Sequence, residues 1–247
     1  MNRFFNIKLL ALLVVALSLV MSVAAEDLTD SANGAEITSS TEGGSLSETA
    51  AGSDVAGGGN VTTLDLNTDA STVKWQGYVG EVEATLALGT GSNTLYSFGA
   101  VPNDQINSVF ASLDSSFDFS STQAVSTEIS DGTLDSLWGF TNSDQDSIKT
   151  AFTGGDTATI SGVANVPAVN LTTYTAAGAL STSPYQPGIL ADTASPSAMT
   201  DIAFGVSVSA NQKDYSNSST VDYQLMVPVN DSGSFTGQTY YFFLDLE

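Results

Sequence analysis

The sequence contains no cysteine and no histidine. Without cysteine, the chain can form no disulfide and has no thiolate nucleophile or zinc ligand. Without histidine, it lacks the commonest general base and the commonest transition-metal ligand. Its three lysines beyond residue 70, which are Lys74, Lys149 and Lys213, lie in no Ser/Lys pattern that would activate a nucleophile. These absences predict that the protein is not an enzyme, and that its core is stable without covalent cross-links.

Positive charge is also scarce. The chain has 5 Lys+Arg against 27 Asp+Glu, which gives a net charge of −22. A surface of this kind repels polyanions, so no nucleic-acid partner is expected. Carboxylate pairs can hydrolyse glycosides, but among so many acids a pair in the sequence identifies nothing. The charge is compatible with calcium, other cations and salt water, and also with a simple role in solubility.

The first 25 residues have the three-part pattern of a secretory signal peptide. Arg3 and Lys8 supply the positive start, an apolar run extends from Leu9 to Val20, and small residues lead to a cleavage site after Ala25. The alternative is a permanent membrane anchor, but the run has about 12 residues and a membrane helix needs about 20. The pattern predicts a secreted protein, extracellular or associated with the cell surface, that keeps no membrane span after cleavage.

Residues 26–59 differ in composition from the rest. They consist largely of Ser, Thr, Gly, Ala and acidic residues, with no Lys, Arg or aromatic residue. Because so little apolar surface cannot offset the entropy of the chain, this segment is predicted to be a disordered acidic arm. The folded domain is then expected to comprise residues 60–247.

Apolar residues in the folded domain recur with a period of two, which is typical of half-buried strands. The alternation is found in residues 73–80, 82–88, 202–208, 221–229 and 239–246, with a turn at 89–93 and a returning strand at 94–98. Strands with one apolar face favour antiparallel sheets, and two sheets packed together hide both apolar faces. The predicted fold is a mainly β, antiparallel β-sandwich, similar to immunoglobulin or jelly-roll folds.

A few short helices are expected at the ends of this sandwich. Asn103 could cap a helix in which apolar residues follow at helical spacing, at Ile106, Val109, Phe110 and Leu113. Residues 143–146 resemble a capping box, with Ile148 and Phe152 four apart and Gly154 as a stop. A further turn is expected at Leu134, Leu137 and Trp138.

Alternating acids and amides are candidate calcium ligands, because Ca²⁺ takes oxygen donors. The candidates are Asp65, Asn67, Asp69, Asp144 and Asp146. Neither group completes a calcium loop, and Asp144 and Asp146 are explained equally well as acids in the first turn of a helix. No other cofactor is expected.

Two kinds of residue suggest contact with sugars. Trp75 and Tyr78 could stack on sugar rings, although aromatic residues in strands more often pack in the core. Sequons for glycan attachment, plausible acceptors in a secreted chain, occur at Asn60, Asn170, Asn217 and Asn230.

Four segments resemble a group of secreted archaeal cell-surface and filament proteins. They are Gly58–Thr62, the motif Trp75–Gly80, Leu95–Phe98 and the aromatic C-terminus Tyr240–Glu247. The resemblance implies a β-rich subunit of the cell envelope, which in some cases polymerises into filaments, and it implies no catalytic residues.

These observations predict a structural surface or filament subunit whose partners are copies of itself and, in addition, cell-envelope glycans. Sheet edges carry unpaired N–H and C=O groups, so a strand from a neighbour can join them. The favoured donor is the segment 61–68, in which Val61, Leu64 and Leu66 supply the apolar side chains. The strand at 239–247 is expected to stay in its own subunit. The alternative is a monomeric adhesin or carbohydrate-binding module, or a sandwich whose terminal strands both pair internally.

Overall fold

The structure, a computed structural model, describes residues 33–35, 37, 72–90, 93–154, 156–181, 184–229 and 238–246. Several predicted features therefore lie outside the described residues. They are the signal peptide with its cleavage site at Ala25, most of the arm, the donor residues Val61, Leu64 and Leu66, and the candidates Asn60, Asp65, Asn67, Asp69 and Asn230.

The described residues form sixteen strands and three short α-helices. The strands are β1 (Asn33–Gly34), β2 (Trp75–Gly80), β3 (Ala84–Thr90), β4 (Asn93–Val101), β5 (Ile106–Ser112), β6 (Gln123–Ala124), β7 (Asp156–Ile160), β8 (Val163–Ala168), β9 (Thr173–Tyr174), β10 (Leu180–Ser181), β11 (Gly188–Ala191), β12 (Ile202–Ser207), β13 (Gln212–Lys213), β14 (Thr220–Val221), β15 (Tyr223–Pro228) and β16 (Tyr241–Leu246). The helices are α1 (Ser126–Ser130), α2 (Thr133–Trp138) and α3 (Ile148–Thr153). Three 3₁₀ turns lie at Asn103–Gln105, Phe119–Ser121 and Met199–Asp201.

An eight-stranded antiparallel sheet forms the centre of the protein. Its order is β1-β16-β5-β12-β11-β8-β7, and β6 also pairs with β11. A four-stranded sheet has the order β10-β9-β13-β14, and two further pairs are β2 with β15 and β3 with β4. The mainly β, antiparallel sandwich with a few short helices is therefore confirmed.

The main sheet is buried on both faces. Along β12, Ile202, Phe204 and Val206 point to one face and join a large core that also contains Leu225 and Val227 of β15. The opposite face carries a second, smaller cluster of Phe110, Ile160, Val166, Leu190 and Phe243. The alternation predicted for β12 and β16 is confirmed. However, the second face of the sheet, which was expected to face solvent, is apolar at the centre of the sheet.

The three helices pack into the large core rather than only closing the ends of the sandwich. Ile129, Leu134, Trp138, Ile148 and Phe152 are all buried there. Trp138 meets Phe204 of β12 edge-on, with 5.7 Å between the ring centroids. Helices and the β2–β15 pair thus cover the same face of the main sheet. Among the described helices, none is both long enough and apolar enough to cross a bilayer.

The helix predicted after Asn103 is wrong. Residues 106–112 form β5, which lies between β16 and β12 in the main sheet. Since β5 is buried on both faces, Val109 and Ala111 face the large core while Phe110 faces the small one. Apolar residues on both sides of a strand mimic the spacing of a helix.

The capping box predicted at residues 143–146 is also misplaced. The helix α3 begins at Ile148, and its N-cap is Ser147, whose hydroxyl accepts a hydrogen bond from the N–H of Thr150 at 3.0 Å. A second acceptor comes from α2, where the buried Asp135 accepts from the N–H of Ile148 at 2.6 Å. The burial of Ile148 and Phe152, the end at Gly154 and the turn around Leu134 and Trp138 are as predicted.

Candidate functional site at the edge of the main sheet

One side of the C-terminal strand β16 pairs with the chain's own sheet. It pairs with β5 along its whole length, from Tyr241 opposite Ser112 to Leu246 opposite Ile106. Phe242 and Leu244 pack on the large core, while Phe243 is buried in the small cluster. The packing of this strand in its own core is as predicted.

The far end of β16 is fixed by a buried carboxylate. Asp245 is only 8% exposed, and one of its oxygens accepts hydrogen bonds from the side-chain amide of Asn107, at 3.0 Å, and from the hydroxyl of Ser161. A register shift follows between Asp245 and Leu246. The strand therefore presents a fixed backbone edge.

The other side of β16 is an edge that carries only a minimal partner. Asn33 lies opposite Leu244 and Gly34 opposite Phe243, and the N–H of Ala35 donates to the carbonyl of Phe242 at 2.9 Å. Within the described parts of the chain, no other strand pairs with this edge. The disorder predicted for residues 26–59 thus does not hold at Asn33–Ala35, which the structure places on the sheet.

The predicted calcium ligands Asp144 and Asp146 come together, but around a cation of the protein itself. The ammonium of Lys74 lies 2.6 Å from Asp144 and 3.1 Å from Asp146, and 5.3 Å from the centre of the Phe140 ring. The hydrogen bond that Lys74 donates to the Asp144 carboxylate raises the pKa of Lys74, while burial lowers it to a smaller extent. Lys74 thus offsets one of the two negative charges and lies where a cation bridging Asp144 and Asp146 would bind, so the calcium hypothesis gains no support at these two residues.

A different group of acids lies near the 3₁₀ turns at Phe119–Ser121 and Met199–Asp201. Burial raises the pKa of the Asp192 carboxyl, and the negative charges of Asp201, Asp118 and Asp114 raise it further. Among the described residues, no group of three or more side chains has the arrangement needed to hold a metal ion. Repulsion between these like charges is thus one cause of the raised pKa of Asp192.

The candidate sugar-stacking residues are engaged in packing. Trp75 is half-buried against Phe140 and Phe152, with ring centroids 6.3 and 6.2 Å away, and its indole N–H donates to the carbonyl of Asp146 at 2.7 Å. Tyr78 meets Phe242 of β16 edge-on at 4.9 Å. These contacts join β2 to the main sheet, so Trp75 and Tyr78 do not form a flat exposed pair of rings.

Two of the sequons lie within the described residues, and both asparagines are exposed. Asn217 lies in the turn between β13 and β14 with a left-handed backbone, φ 59°. The amide nitrogen of Asn170 donates to the carboxylate of Asp156, and its oxygen accepts from Gln186 at 2.7 Å. Asn217 is therefore the more accessible of the two candidate acceptors.

The pair β3–β4 differs from the rest because its apolar residues face outward. Val82, just before it, is buried, but the predicted core residues Leu86 and Leu88 are exposed, as are Leu95, Tyr96 and Phe98 of β4. Sequence reasoning found both strands and missed the orientation of their apolar face. A signal was present, since residues 84–101 contain no charged residue in a chain of net charge −22.

No family model, curated protein or solved structure matches this chain. The resemblance to archaeal surface proteins stays a prediction from the sequence. Of its two best-defined motifs, Trp75–Gly80 forms β2 and the aromatic C-terminus contains β16, and these strands contact each other through Tyr78 and Phe242.

Proposed function

We propose that this protein is a non-enzymatic extracellular structural subunit, part of a surface layer or filament, that assembles by β-strand addition at the outer edge of β16. The observation that carries the proposal is the pairing of Asn33–Gly34 with Leu244 and Phe243. A segment far from the domain in sequence lies on the edge strand of the main sheet, and the pairing is only two residues long.

The chemistry of this pairing does not depend on which subunit supplies the segment. Backbone groups make the contact, as in the hydrogen bond from Ala35 to Phe242. About 37 residues separate Gly34 from Thr72, and an extended chain of that length spans up to about 120 Å. The arm is thus long enough to reach a neighbour's β16 as well as its own. A contact from the arm of one subunit to the edge of the next does not close on itself, so it builds a filament.

The donor in this proposal differs from the one that the sequence favours. Segment 61–68 was expected to donate through Val61, Leu64 and Leu66, whereas the described contact is made by Asn33–Gly34, which lies earlier in the same arm. Neither residue has an apolar side chain. Main-chain hydrogen bonds therefore supply the affinity, and side-chain pockets contribute little to the register.

The alternative, a monomeric adhesin or carbohydrate-binding module, would be favoured by Trp75 and Tyr78 on a flat exposed face. Trp75 packs on Phe140 and Phe152 instead, and Tyr78 packs on Phe242. Nothing in the arrangement of these rings favours sugar stacking over the structural role.

We expect Ala35→Pro to abolish the filaments that form by strand addition. Proline has no N–H, so the hydrogen bond to the Phe242 carbonyl is lost and the two-residue pairing with it. Negative-stain electron microscopy of the native protein should show filaments for the wild type and dispersed particles for the variant. Circular dichroism should show the same β-sheet signal for both, since Ala35 lies outside the sandwich core.

The matched control is Ile37→Pro, two residues further along the arm. Ile37 is 57% exposed and lies outside β1, so the same chemical change removes no described strand contact there. Filaments should persist in this variant. The proposal is wrong if Ala35→Pro assembles as well as the wild type, or if the wild type forms no filaments at any salt concentration.

A further inference from the structure

The β3–β4 hairpin has an exposed apolar side that no described part of the chain covers. Leu86 and Leu88 alternate on β3, Leu88 lies opposite Tyr96, and the rings of Tyr96 and Phe98 meet at 5.0 Å. These four side chains therefore share one side of the hairpin, which we name the hairpin face. Their exposed fractions are 55% for Leu86, 54% for Leu88, 60% for Tyr96 and 63% for Phe98.

The hairpin is also isolated from the sheets of the sandwich. Among the described strands, β3 pairs only with β4 and β4 only with β3. The neighbouring Leu95 is 80% exposed and lines the same surface cleft as Leu88, so it extends the apolar surface at the turn end of the hairpin. Single exposed apolar residues are ordinary, but a contiguous group of this size marks an interaction surface.

We infer that the hairpin face is a self-association surface, and that its occupant is the hairpin face of a second copy of this chain. The first argument is charge. Residues 84–101 contain no Asp, Glu, Lys or Arg, while the whole chain carries −22. Two copies repel each other over most of their surfaces, so an uncharged strip is where they approach at the least electrostatic cost.

The second argument is area. An aromatic side chain offers about 200 Å², so Tyr96 and Phe98 together expose roughly 240 Å², and the three leucines expose a comparable amount. Two copies packed through this surface would bury at most about 1,000 Å² in total, which is the lower limit of a specific interface. Sheets stack face to face at about 10 Å, and a two-fold axis lets the same residues meet on both sides.

This inference goes beyond the proposed strand addition and does not depend on it, because the hairpin face and the β16 edge share no residue. The two contacts together give each subunit one head-to-tail contact and one symmetric contact. A protein with both would form paired filaments or a layer instead of single filaments.

The test is a charge exchange at Leu88, which lies near the centre of the hairpin face. Leu88→Glu and Leu88→Lys each place like charges against each other when two identical copies meet. We expect each variant alone to lose self-association by at least tenfold in dissociation constant, measured by sedimentation velocity. An equimolar mixture of the two variants should recover association, since Glu then faces Lys.

Matched controls separate this effect from a general change in charge. Leu180 is 66% exposed and lies in the four-stranded sheet, so Leu180→Glu and Leu180→Lys should leave self-association unchanged. Measurements in the Ala35→Pro background isolate the hairpin contact from strand addition. If Leu88→Glu unfolds the protein, the same test is made at Tyr96 with the variants Tyr96→Glu and Tyr96→Lys.

Three outcomes would overturn the inference. One is self-association that persists unchanged in each single variant. Another is a mixture of Glu and Lys variants that associates no better than either alone. The third is that the Ala35→Pro protein, with its hairpin face unchanged, stays monomeric. If it also binds phosphatidylcholine vesicles through Leu88, the occupant of the hairpin face is a lipid surface.

Discussion

Gly205→Ala should lower the free energy of unfolding by about 3 kcal/mol, the upper part of the range for overpacking a core. Gly205 lies in β12 directly opposite Phe110 of β5. A Cβ at this position would lie 2.5 Å from Cε1 and 2.6 Å from Cδ1 of the Phe110 ring, and 3.2 Å from Cγ2 of Ile160. The ring cannot move aside easily, because it is buried and packs on Phe119 at 5.0 Å.

Two further variants make this result specific. Gly77→Ala is the control, since Gly77 also lies in a strand and its added Cβ would meet no atom within 4 Å. Urea denaturation should show Gly77→Ala within about 0.5 kcal/mol of the wild type. Phe110→Leu should cost less in the Gly205→Ala background than in the wild type, because the smaller side chain relieves the clash. If the losses of stability from Gly205→Ala and Phe110→Leu were simply additive, contact with the Phe110 ring would not be the reason that position 205 needs glycine.

Asp135→Ala should also destabilise the protein by about 3 kcal/mol, because it leaves buried donors without an acceptor. Asp135 is fully buried on α2 and accepts hydrogen bonds from the N–H groups of Ile148 and Lys149, at 2.6 and 3.2 Å. These groups belong to the first turn of α3 and have no partner within that helix. Thermal unfolding of the variant, followed by circular dichroism, measures the loss.

Asp135→Asn separates the hydrogen bonds from the charge. Burial raises the pKa of Asp135, while the two N–H donors oppose that shift. A carboxyl with a raised folded-state pKa contributes stability below its unfolded pKa and loses that contribution as the pH rises through the folded value. The asparagine variant keeps an acceptor and has no charge. Its stability relative to the wild type should therefore increase as the pH rises from the unfolded-state pKa of Asp135 to the folded-state pKa. A constant difference across that range would contradict a burial cost for the Asp135 charge.

The sequence predicted the β-sandwich because several strands have one face against the large core and a different environment on the other. Residues 202–207 and 241–246 are of this kind, and their alternation survives in β12 and β16. The strand β5 was mistaken for a helix because Val109 and Phe110 are adjacent and both buried, on opposite faces. Local periodicity cannot distinguish a helix from a strand that is apolar on both sides.

The candidate assembly surfaces were less predictable, for two physical reasons. The segment Asn33–Gly34 binds the sheet through backbone atoms, which are the same for every sequence, so its side chains carry no signal. The hairpin face has the alternation of a buried strand, and only the packing of the whole chain determines that Leu86 and Leu88 face outward. The salt bridge between Lys74 and Asp144 was also not predictable, because it joins residues 70 positions apart in the sequence.

The central claim is that the arm of one subunit occupies the β16 edge of another, and a single cross-link tests it most directly. Asn33 lies opposite Leu244, and Cα atoms in such an antiparallel pair are about 4.5–5.5 Å apart, within the range that a disulfide bridges. Since the chain has no cysteine, Asn33→Cys with Leu244→Cys creates the only disulfide pair. After assembly and oxidation, non-reducing electrophoresis should show a ladder of covalent multimers that dithiothreitol collapses to monomer, while Asn33→Cys alone gives no ladder. A double variant that oxidises fully yet runs only as monomer would show that the arm pairs within its own subunit, and would contradict the account.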